Sequence, residues 1–126
     1  MTIRSLQHIA LAVPDPAPGK KFYTDFGMEG REDGMRVMMR CHGRDQDQVI
    51  LVEGRERRTH HLGFGATAQG LAGLKQRLEK NGQRLLAAPK ETPADGLWFR
   101  DLDGVLVNVR VAEPAPWLAA PEWKIN

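Results

Sequence analysis

The chain has 126 residues, of which 41% are hydrophobic and 27% are charged, and this composition is typical of one globular domain with its own core. The formal net charge is only +2, and basic and acidic residues are interspersed, so we expect no nucleic acid partner. A single cysteine excludes an internal disulfide, and no stretch is apolar enough for a signal peptide or a membrane span. We therefore expect a cytoplasmic protein.

The first half of the chain predicts a strand, a helix and three more strands. Residues 6–13 alternate in a way that indicates a strand with His8 on one of its faces. Asp15 and the proline after it are suited to capping and starting a helix, and Gly27 is suited to ending it. The apolar stripe of this helix is formed by three aromatic residues, Phe22, Tyr23 and Phe26. Strands are then predicted at 30–33, 35–41 and 48–53, the first of which is the weakest.

The second half predicts the same order of elements. His61 opens a strand over residues 61–66, and leucines spaced three and four residues apart indicate a helix over 69–80. An Asn-Gly pair at 81–82 is suited to ending that helix. Strands are then predicted at 84–87, 97–100 and 105–111. Residues 112–126 are rich in proline, which is typical of a tail or linker.

Two sequence matches show that the halves are copies of one unit. HIALAV at 8–13 is matched by HLGFGA at 61–66, and RDQDQVIL at 44–51 is matched by RDLDGVLV at 100–107. A tandem repeat of this size indicates two copies of one supersecondary unit, whose equivalent positions meet where the copies join. We predict an α+β domain over residues 1–111, built from tandem βαβββ repeats. The first repeat spans residues 5–54, and the second spans residues 60–111.

The same motifs resemble those of a known superfamily. HIALAVPD at 8–15, FYTDFGM at 22–28, HLGF at 61–64 and FRDLDG at 99–104 resemble the vicinal-oxygen-chelate superfamily. That superfamily includes glyoxalases, bleomycin-resistance proteins and extradiol ring-cleaving dioxygenases, and the chain is most similar to the N-terminal domain of the dioxygenases. The resemblance implies that both repeats form one curved mixed sheet around a cup. In the superfamily, metal ligands come from the first and last strands of each repeat.

The resemblance also implies which residues line the cup. His8 and His61 match the histidine ligands of Fe(II) or another divalent metal, which prefers two histidines and one carboxylate in a ring-cleaving enzyme. The position of the carboxylate holds Asn108, a weak neutral ligand. Aligning the repeats pairs Val52 with Asn108, and strand alternation then turns Glu53 away from the cup. Two aromatic residues, Phe64 and Trp98, are also expected to line the cup.

Other residues with functional side chains are given structural roles. His60 precedes His61 in the strand, so we expect it to face the opposite side. His42 is expected to lie in a solvated turn, and Cys41 is expected to be a small buried hydrophobic residue. No residue matches the acid/base histidine of ring-cleaving enzymes, so we assign no catalytic residue.

Three functions are compatible with this sequence. The chain can be the N-terminal, non-catalytic half of a metal-dependent extradiol dioxygenase, or a short relative of one, acting on catechol-type aromatics. It can instead be a single-domain glyoxalase-like metalloenzyme that assembles its site across a dimer, with the missing acid supplied by a partner chain. The third possibility is a bleomycin-resistance-type protein that holds an aromatic small molecule without metal. For the chain itself we expect a small aromatic substrate or ligand, no membrane partner, and a homodimer or higher oligomer.

Overall fold

A computed structural model describes residues 2–90, 92 and 95–112 of the chain. These residues form nine elements: β1 (Ile3–Val13), α1 (Pro16–Asp25), β2 (Glu29–Asp33), β3 (Arg36–Arg40), β4 (Val49–Glu53), β5 (Arg58–Ala66), α2 (Ala68–Lys80), β6 (Leu97–Arg100) and β7 (Leu106–Val111). The strands form one sheet in the order β2-β3-β4-β1-β5-β7-β6. The predicted α+β class and the curved sheet of the vicinal-oxygen-chelate fold are confirmed.

The two copies join in the middle of this sheet. β1 and β5 run antiparallel to each other, while β4 is parallel to β1 and β7 is parallel to β5. Each copy therefore supplies one half of the sheet, and the opening strand of each copy lies at the centre. This arrangement places His8 and His61 on neighbouring strands.

Local sequence signals begin and end the helices as predicted. Asp15 caps α1 and accepts a hydrogen bond from the backbone N–H of Ala17 at 3.1 Å, with a proline in the first turn. Thr67 caps α2 in the same way, through the backbone N–H of Gly70 at 3.0 Å. Gly27 follows α1 with a φ of 113°, a backbone conformation that L side chains rarely adopt.

Both helices pack on the same face of the sheet. In the first copy Tyr23 of α1 packs against a buried cluster of Val37, Met39 and Leu51. In the second copy two leucines of α2 pack against Ala66, Val107 and Val109. Because side chains alternate along each strand, the residues between these core positions point to the opposite face. We call that opposite, helix-free face the cup face.

Residues 84–87 do not form the predicted strand. The segment runs beside β6, but Leu86 makes the one backbone bond that joins it to the sheet, from its N–H to the carbonyl of Trp98 at 2.7 Å. A strand needs a ladder of such bonds, and Pro89 just downstream has no N–H with which to extend it. In the described residues, the second copy therefore contributes one strand fewer than the first.

The aromatic stripe of α1 is buried only in part. Tyr23 contacts the core, whereas Phe22 and Phe26 are 63% and 74% exposed and stack on each other outside it. Ten residues make a short helix whose contact with the sheet is narrower than the predicted stripe. Among the described residues, no helix has the length and apolarity needed to cross a bilayer. Most of the predicted tail, 113–126, lies outside the described residues, and the domain boundaries remain a prediction.

Candidate metal and ligand site

Each opening strand has an irregularity directly before its histidine. Along the β1–β5 ladder, Leu6 pairs with Phe64 and His8 pairs with Gly63, so one extra residue, Gln7, is inserted on β1. Ala10 pairs with His61 and Leu11 pairs with Thr59, so one extra residue is inserted on β5 as well. That residue is His60, the repeat equivalent of Gln7. β-Bulges of this kind re-aim side chains next to functional sites.

The bulges bring the two predicted ligand histidines into direct contact. Nε2 of His8 lies 2.8 Å from Nε2 of His61, and the two rings meet edge to face. His61 is buried, and His8 is largely buried. Without a metal, one of these nitrogens must carry a proton and donate it to the other. With a metal, both lone pairs would point at the ion instead.

The nitrogen separation also fits a shared metal ion. Two imidazole nitrogens bound at about 2.0–2.1 Å to one octahedral ion, where neighbouring ligands lie at right angles, are about 2.8–3.0 Å apart. The separation of 2.8 Å between the two Nε2 atoms lies in that range. His8 and His61 therefore have the spacing of two adjacent ligands of one divalent ion.

His60 lies on the same side as His61, so the predicted opposite orientation is wrong. Nδ1 of His60 is 2.8 Å from Nδ1 of His61, and their rings are also in edge-to-face contact. The bulge on β5 is the reason, because it interrupts the strict alternation of side chains. When the Nδ1–H of His61 donates to His60, Nε2 of His61 is left with a free lone pair, as a metal ligand requires.

The lowered pKa values of the two predicted ligand histidines make both rings neutral near pH 7. The pKa of His8 is lowered to about 4, mainly by burial. The positive charges of Arg110 and Arg36 lower it further, whereas the negative charge of Asp47 raises it. The pKa of His61 is lowered to about 3, again mainly by burial. Electrostatic interactions with His8, His60 and Arg36 lower it further, because each of them disfavours a positive charge on His61. Neutral imidazole is the form that binds metals.

Asn108 lies one strand away from the His8 ring. The His8 ring fills the space above Gly63, where an added Cβ would come within 2.4 Å of the ring. Gly63 is in turn the ladder partner of Asn108. Neighbouring strands are about 4.8 Å apart. The amide nitrogen of Asn108 donates to the carbonyls of Leu97 at 3.1 Å and Asp95 at 3.4 Å. Its Oδ1 is therefore the atom that can face a ligand.

The other three residues expected in the cup are divided between the two faces. Val52 is buried and lies on the cup face, since its neighbour Leu51 packs in the core under α1. Trp98 is buried and its ring contacts the ring of His61 at a centroid distance of 5.0 Å. Phe64, however, packs with the core under α2, so its placement in the cup is wrong. It follows His61 by three positions, and alternation therefore puts it on the opposite face.

The residues expected to lie away from the cup do so. Glu53 is exposed and pairs with Val13, which packs against the core on the helix face. His42 is exposed and its Nδ1 contacts Oε1 of Glu29 at 2.7 Å. Cys41 is exposed as well, so the prediction that it is buried is wrong. It lies one residue beyond the end of β3, where the sheet no longer covers it.

No acidic residue completes the histidine pair within the described part of the chain. There, no group of three or more histidine, cysteine, aspartate or glutamate side chains is placed to hold a metal ion. The donor set therefore fits two of the three protein ligands that a non-haem iron site uses.

Two arginines near the cup were not identified from the sequence. Arg110 follows Asn108 by two positions on β7, which puts both side chains on the same face. Arg36 begins β3 and pairs with Val52 across the ladder. Strand alternation counted from Asn108 and Val52 could have identified both of them.

Comparison with known proteins establishes the family. The sequence model of the glyoxalase/bleomycin resistance protein/dioxygenase superfamily matches residues 5–109. This chain belongs to that superfamily.

Particular relatives include dioxygenases and a glyoxalase. Metapyrocatechase 2 of Cupriavidus necator is 31% identical over 114 residues, which cover 86% of this chain and 34% of the relative. The 2,3-dioxygenase LapB from Pseudomonas sp. KL28 superposes with a TM-score of 0.76 at 20% identity, over 91% of this chain and 43% of that one. The Mn(II)-bound glyoxalase from Novosphingobium aromaticivorans has a TM-score of 0.73 at 26% identity, over 94% and 43% of the two chains. This chain thus spans about a third of the curated relative and under half of these two structures.

Proposed function

We propose that this chain is an extradiol-dioxygenase-type domain whose cup holds a divalent metal ion through His8 and His61 and takes a catechol-type aromatic. The observation that carries the proposal is the separation of 2.8 Å between the two Nε2 atoms. It is supported by the neutral state of both rings and by the relationship to metapyrocatechase 2.

The residues divide the work of the site as follows. His8 and His61 would hold the ion, and His60 would keep the tautomer of His61 that leaves its Nε2 free. Trp98 packs edge to face against His61 and would help to hold that ring beside a flat ligand. Fe(II), when bound, would supply coordination of the catechol oxygens and an electron for oxygen chemistry.

Ring cleavage by this domain alone is not part of the proposal. Asn108 stands where the superfamily pattern has a carboxylate, and the described residues contain no acidic replacement. The domain would therefore bind metal with two histidines and serve as the non-catalytic half of a dioxygenase or as a short relative of one. Its relatives are longer, since this chain covers 34% of metapyrocatechase 2.

An anaerobic titration tests the proposal. Fe(II), or Co(II) as a spectroscopic substitute, is added to the purified chain, and the bound ions are counted by calorimetry. We expect about one ion per chain, and His8→Ala and His61→Ala should each weaken binding by at least about a hundredfold, because removal of an outer partner alone costs 10–100-fold. His42→Ala is the matched control and should bind as the parent does, since His42 is exposed and outside the cup.

A second candidate is a metal-free binding protein of the bleomycin-resistance kind. The contact between His8 and His61 favours it, because two neutral imidazoles at 2.8 Å also form a satisfactory hydrogen bond without an ion. Absence of bound metal at saturating Fe(II) and Co(II) would sink the first proposal and leave this one. If metal binds only to a dimer, as judged by light scattering, a partner chain completes the site, as in the glyoxalase-like alternative.

A further inference from the structure

Two N–H groups of the second copy are buried without a hydrogen-bond partner in the described part of the chain. They are Nε1 of Trp98 and Nε of Arg110. Trp98 is only 3% exposed, so bulk water does not reach its indole ring. Buried donors are normally paired, and a group that lacks a partner calls for an acceptor from elsewhere.

Both donors belong to side chains on the cup face of two neighbouring strands, β6 and β7. Trp98 is the ladder partner of Asn108, and Arg110 lies two residues further along β7 on the same face as Asn108. Diagonal neighbours across two strands are about 7–8 Å apart at Cα, within reach of aromatic and long side chains. One planar ligand beside Asn108 can therefore contact both side chains.

The guanidinium group of Arg110 has little compensation from the protein. Among the described residues its acidic partner is Asp95, at 4.0 Å between Nη1 and Oδ2, which is too long for a hydrogen bond. Asp95 is 59% exposed at its side chain, so its attraction is also weakened by solvent. A positive charge on the cup face is thus left available for an anion.

The other cup residues that the structure describes do not supply that anion. The carboxylate of Asp47, which acts on the His8 ring, is already held by Arg31 at 2.7 Å and by Arg40 at 3.0 Å. Arg36 adds a second positive charge from the first copy and pairs with Asp33 at 2.9 Å.

We infer that the cup binds a small aromatic carboxylate, whose carboxylate group accepts hydrogen bonds from Nε of Arg110 and Nε1 of Trp98. Its ring then lies beside the His61–Trp98 pair. The inference rests on the proposed function, because it takes the cup as the aromatic-binding site and narrows its ligand to one that carries a negative charge. The carboxylate contact itself needs no metal.

Binding of benzoate to the metal-free chain tests this inference. Dissociation constants are measured by ligand-observed NMR in the presence of a chelator, with benzamide as the neutral ligand of the same shape. We expect benzoate to bind at least about tenfold more tightly than benzamide, because charge-assisted hydrogen bonds are stronger than neutral ones. This comparison uses the unmodified chain, so no variant needs to fold for the test to succeed.

Two substitutions locate the carboxylate. Arg110→Gln should weaken benzoate binding by about tenfold or more, and Trp98→Phe should weaken it about threefold or more, since it removes the N–H but keeps a ring. Neither change should alter benzamide binding as much. Arg57→Gln is the matched control, because it removes the same charge from an exposed turn, and it should leave the benzoate constant unchanged.

Equal affinity for benzoate and benzamide would overturn the inference, as would no benzoate binding at millimolar concentration. Unchanged benzoate binding in a folded Arg110→Gln variant would also overturn it. Failure here is distinguishable from failure of the proposed function. Metal uptake without benzoate binding refutes the carboxylate site alone, whereas benzoate binding without metal uptake refutes the metal centre alone.

Discussion

The two copies hold their histidines at equivalent bulges but fix them in different ways. Across the β1–β5 ladder His8 is opposite Gly63, and His61 is opposite Ala10. Gly63 and Ala10 occupy equivalent positions in the two repeats. The His8 ring occupies the space left by the missing Cβ of Gly63. His61 is held instead by ring contacts with His60 and Trp98. One imidazole is thus positioned by available space and the other by its neighbours.

The shared Asp-x-Asp motif has also diverged between the copies. In the second copy Asp101 accepts hydrogen bonds from the backbone N–H groups of Asp103 and Val105 and so shapes a turn. In the first copy the equivalent aspartate, Asp45, pairs instead with Arg40 at 3.1 Å. The second aspartate of that motif, Asp47, is paired with Arg31 and Arg40, which hold its pKa below the usual value although burial alone would raise it. The comparison teaches that a repeat preserves backbone geometry more closely than it preserves side-chain chemistry.

The largest expected effect comes from removing the core of the first copy. Leu51 is 1% exposed and packs between Val37 and Met39, so Leu51→Ala leaves a cavity and should lower the free energy of unfolding by about 2–5 kcal/mol. Urea denaturation followed by circular dichroism measures the change. The same substitution at Leu102, which is fully exposed in the second copy, should cost less than about 0.5 kcal/mol. A cost below about 1 kcal/mol at Leu51 would contradict the assignment of this core.

A methyl group at Gly63 tests how the two histidines are positioned. Its Cβ would come within 2.4 Å of the His8 ring, so Gly63→Ala should lower the free energy of unfolding by about 1–3 kcal/mol and displace that ring from His61. Co(II) titration should then show weaker metal binding. Gly73→Ala is the control, because a Cβ there meets only the end of a flexible arginine and should stabilise the helix by about 0.5–1 kcal/mol. Parent-like metal binding by Gly63→Ala would show that the His8 ring is not held by this contact.

Acid should weaken the junction of the two copies. The pKa values of His8 and His61, about 4 and about 3 in the folded chain, lie below the value of 6.5 expected after unfolding. Unfolding therefore takes up protons below pH 6.5. The free energy of unfolding is thus not reduced by these two groups above that pH, and it falls as the pH drops towards 4 and 3. We expect the Tm to decrease by several degrees between pH 7 and pH 4.5, and by less in His61→Gln, which cannot titrate. An equal decrease in both proteins would remove His61 as a cause.

Much of this arrangement follows from sequence periodicity. The repeat predicted the pairing of His8 with His61, and alternation predicted the faces of Val52 and Glu53, because both depend on local geometry. Alternation would also have placed Phe64 correctly if it had been counted from His61. The bulges could not be predicted in this way, since they depend on how one strand pairs with its neighbour.

Two further features depend on tertiary contacts that the sequence does not encode locally. Residues 84–87 have a strand-like sequence, but they form a single backbone bond to β6. His60 contacts His61 because the bulge that contains it turns it to the cup face. In both cases the pairing partner, rather than the propensity of the segment, decides the outcome.

A carboxylate at position 108 should make the second copy a better metal site. Asn108→Glu supplies the acid that the superfamily pattern has there, one strand from His8, and should strengthen Fe(II) or Co(II) binding by about tenfold. The metal-free chain should lose about 1–3 kcal/mol of stability, because the donor to the Leu97 carbonyl is removed. Asn108→Gln has the same length and no charge, so it should not strengthen binding. Equal metal affinities for the two variants would show that position 108 does not reach the ion.

The smallest effect is expected on the exposed side of α1, and it separates the two helices. Phe26 is 74% exposed, so Phe26→Ser should change the free energy of unfolding by less than about 0.5 kcal/mol. Leu74 of α2 is partly buried against the core of the second copy, and Leu74→Ser should cost about 1 kcal/mol or more because it loses apolar contact with that core. Urea denaturation of both variants measures the difference. A cost at Phe26 as large as that at Leu74 would mean that the Phe22–Phe26 pair on α1 is covered in solution. The outer face of α1 would then be buried although no contact among the described residues of one chain buries it.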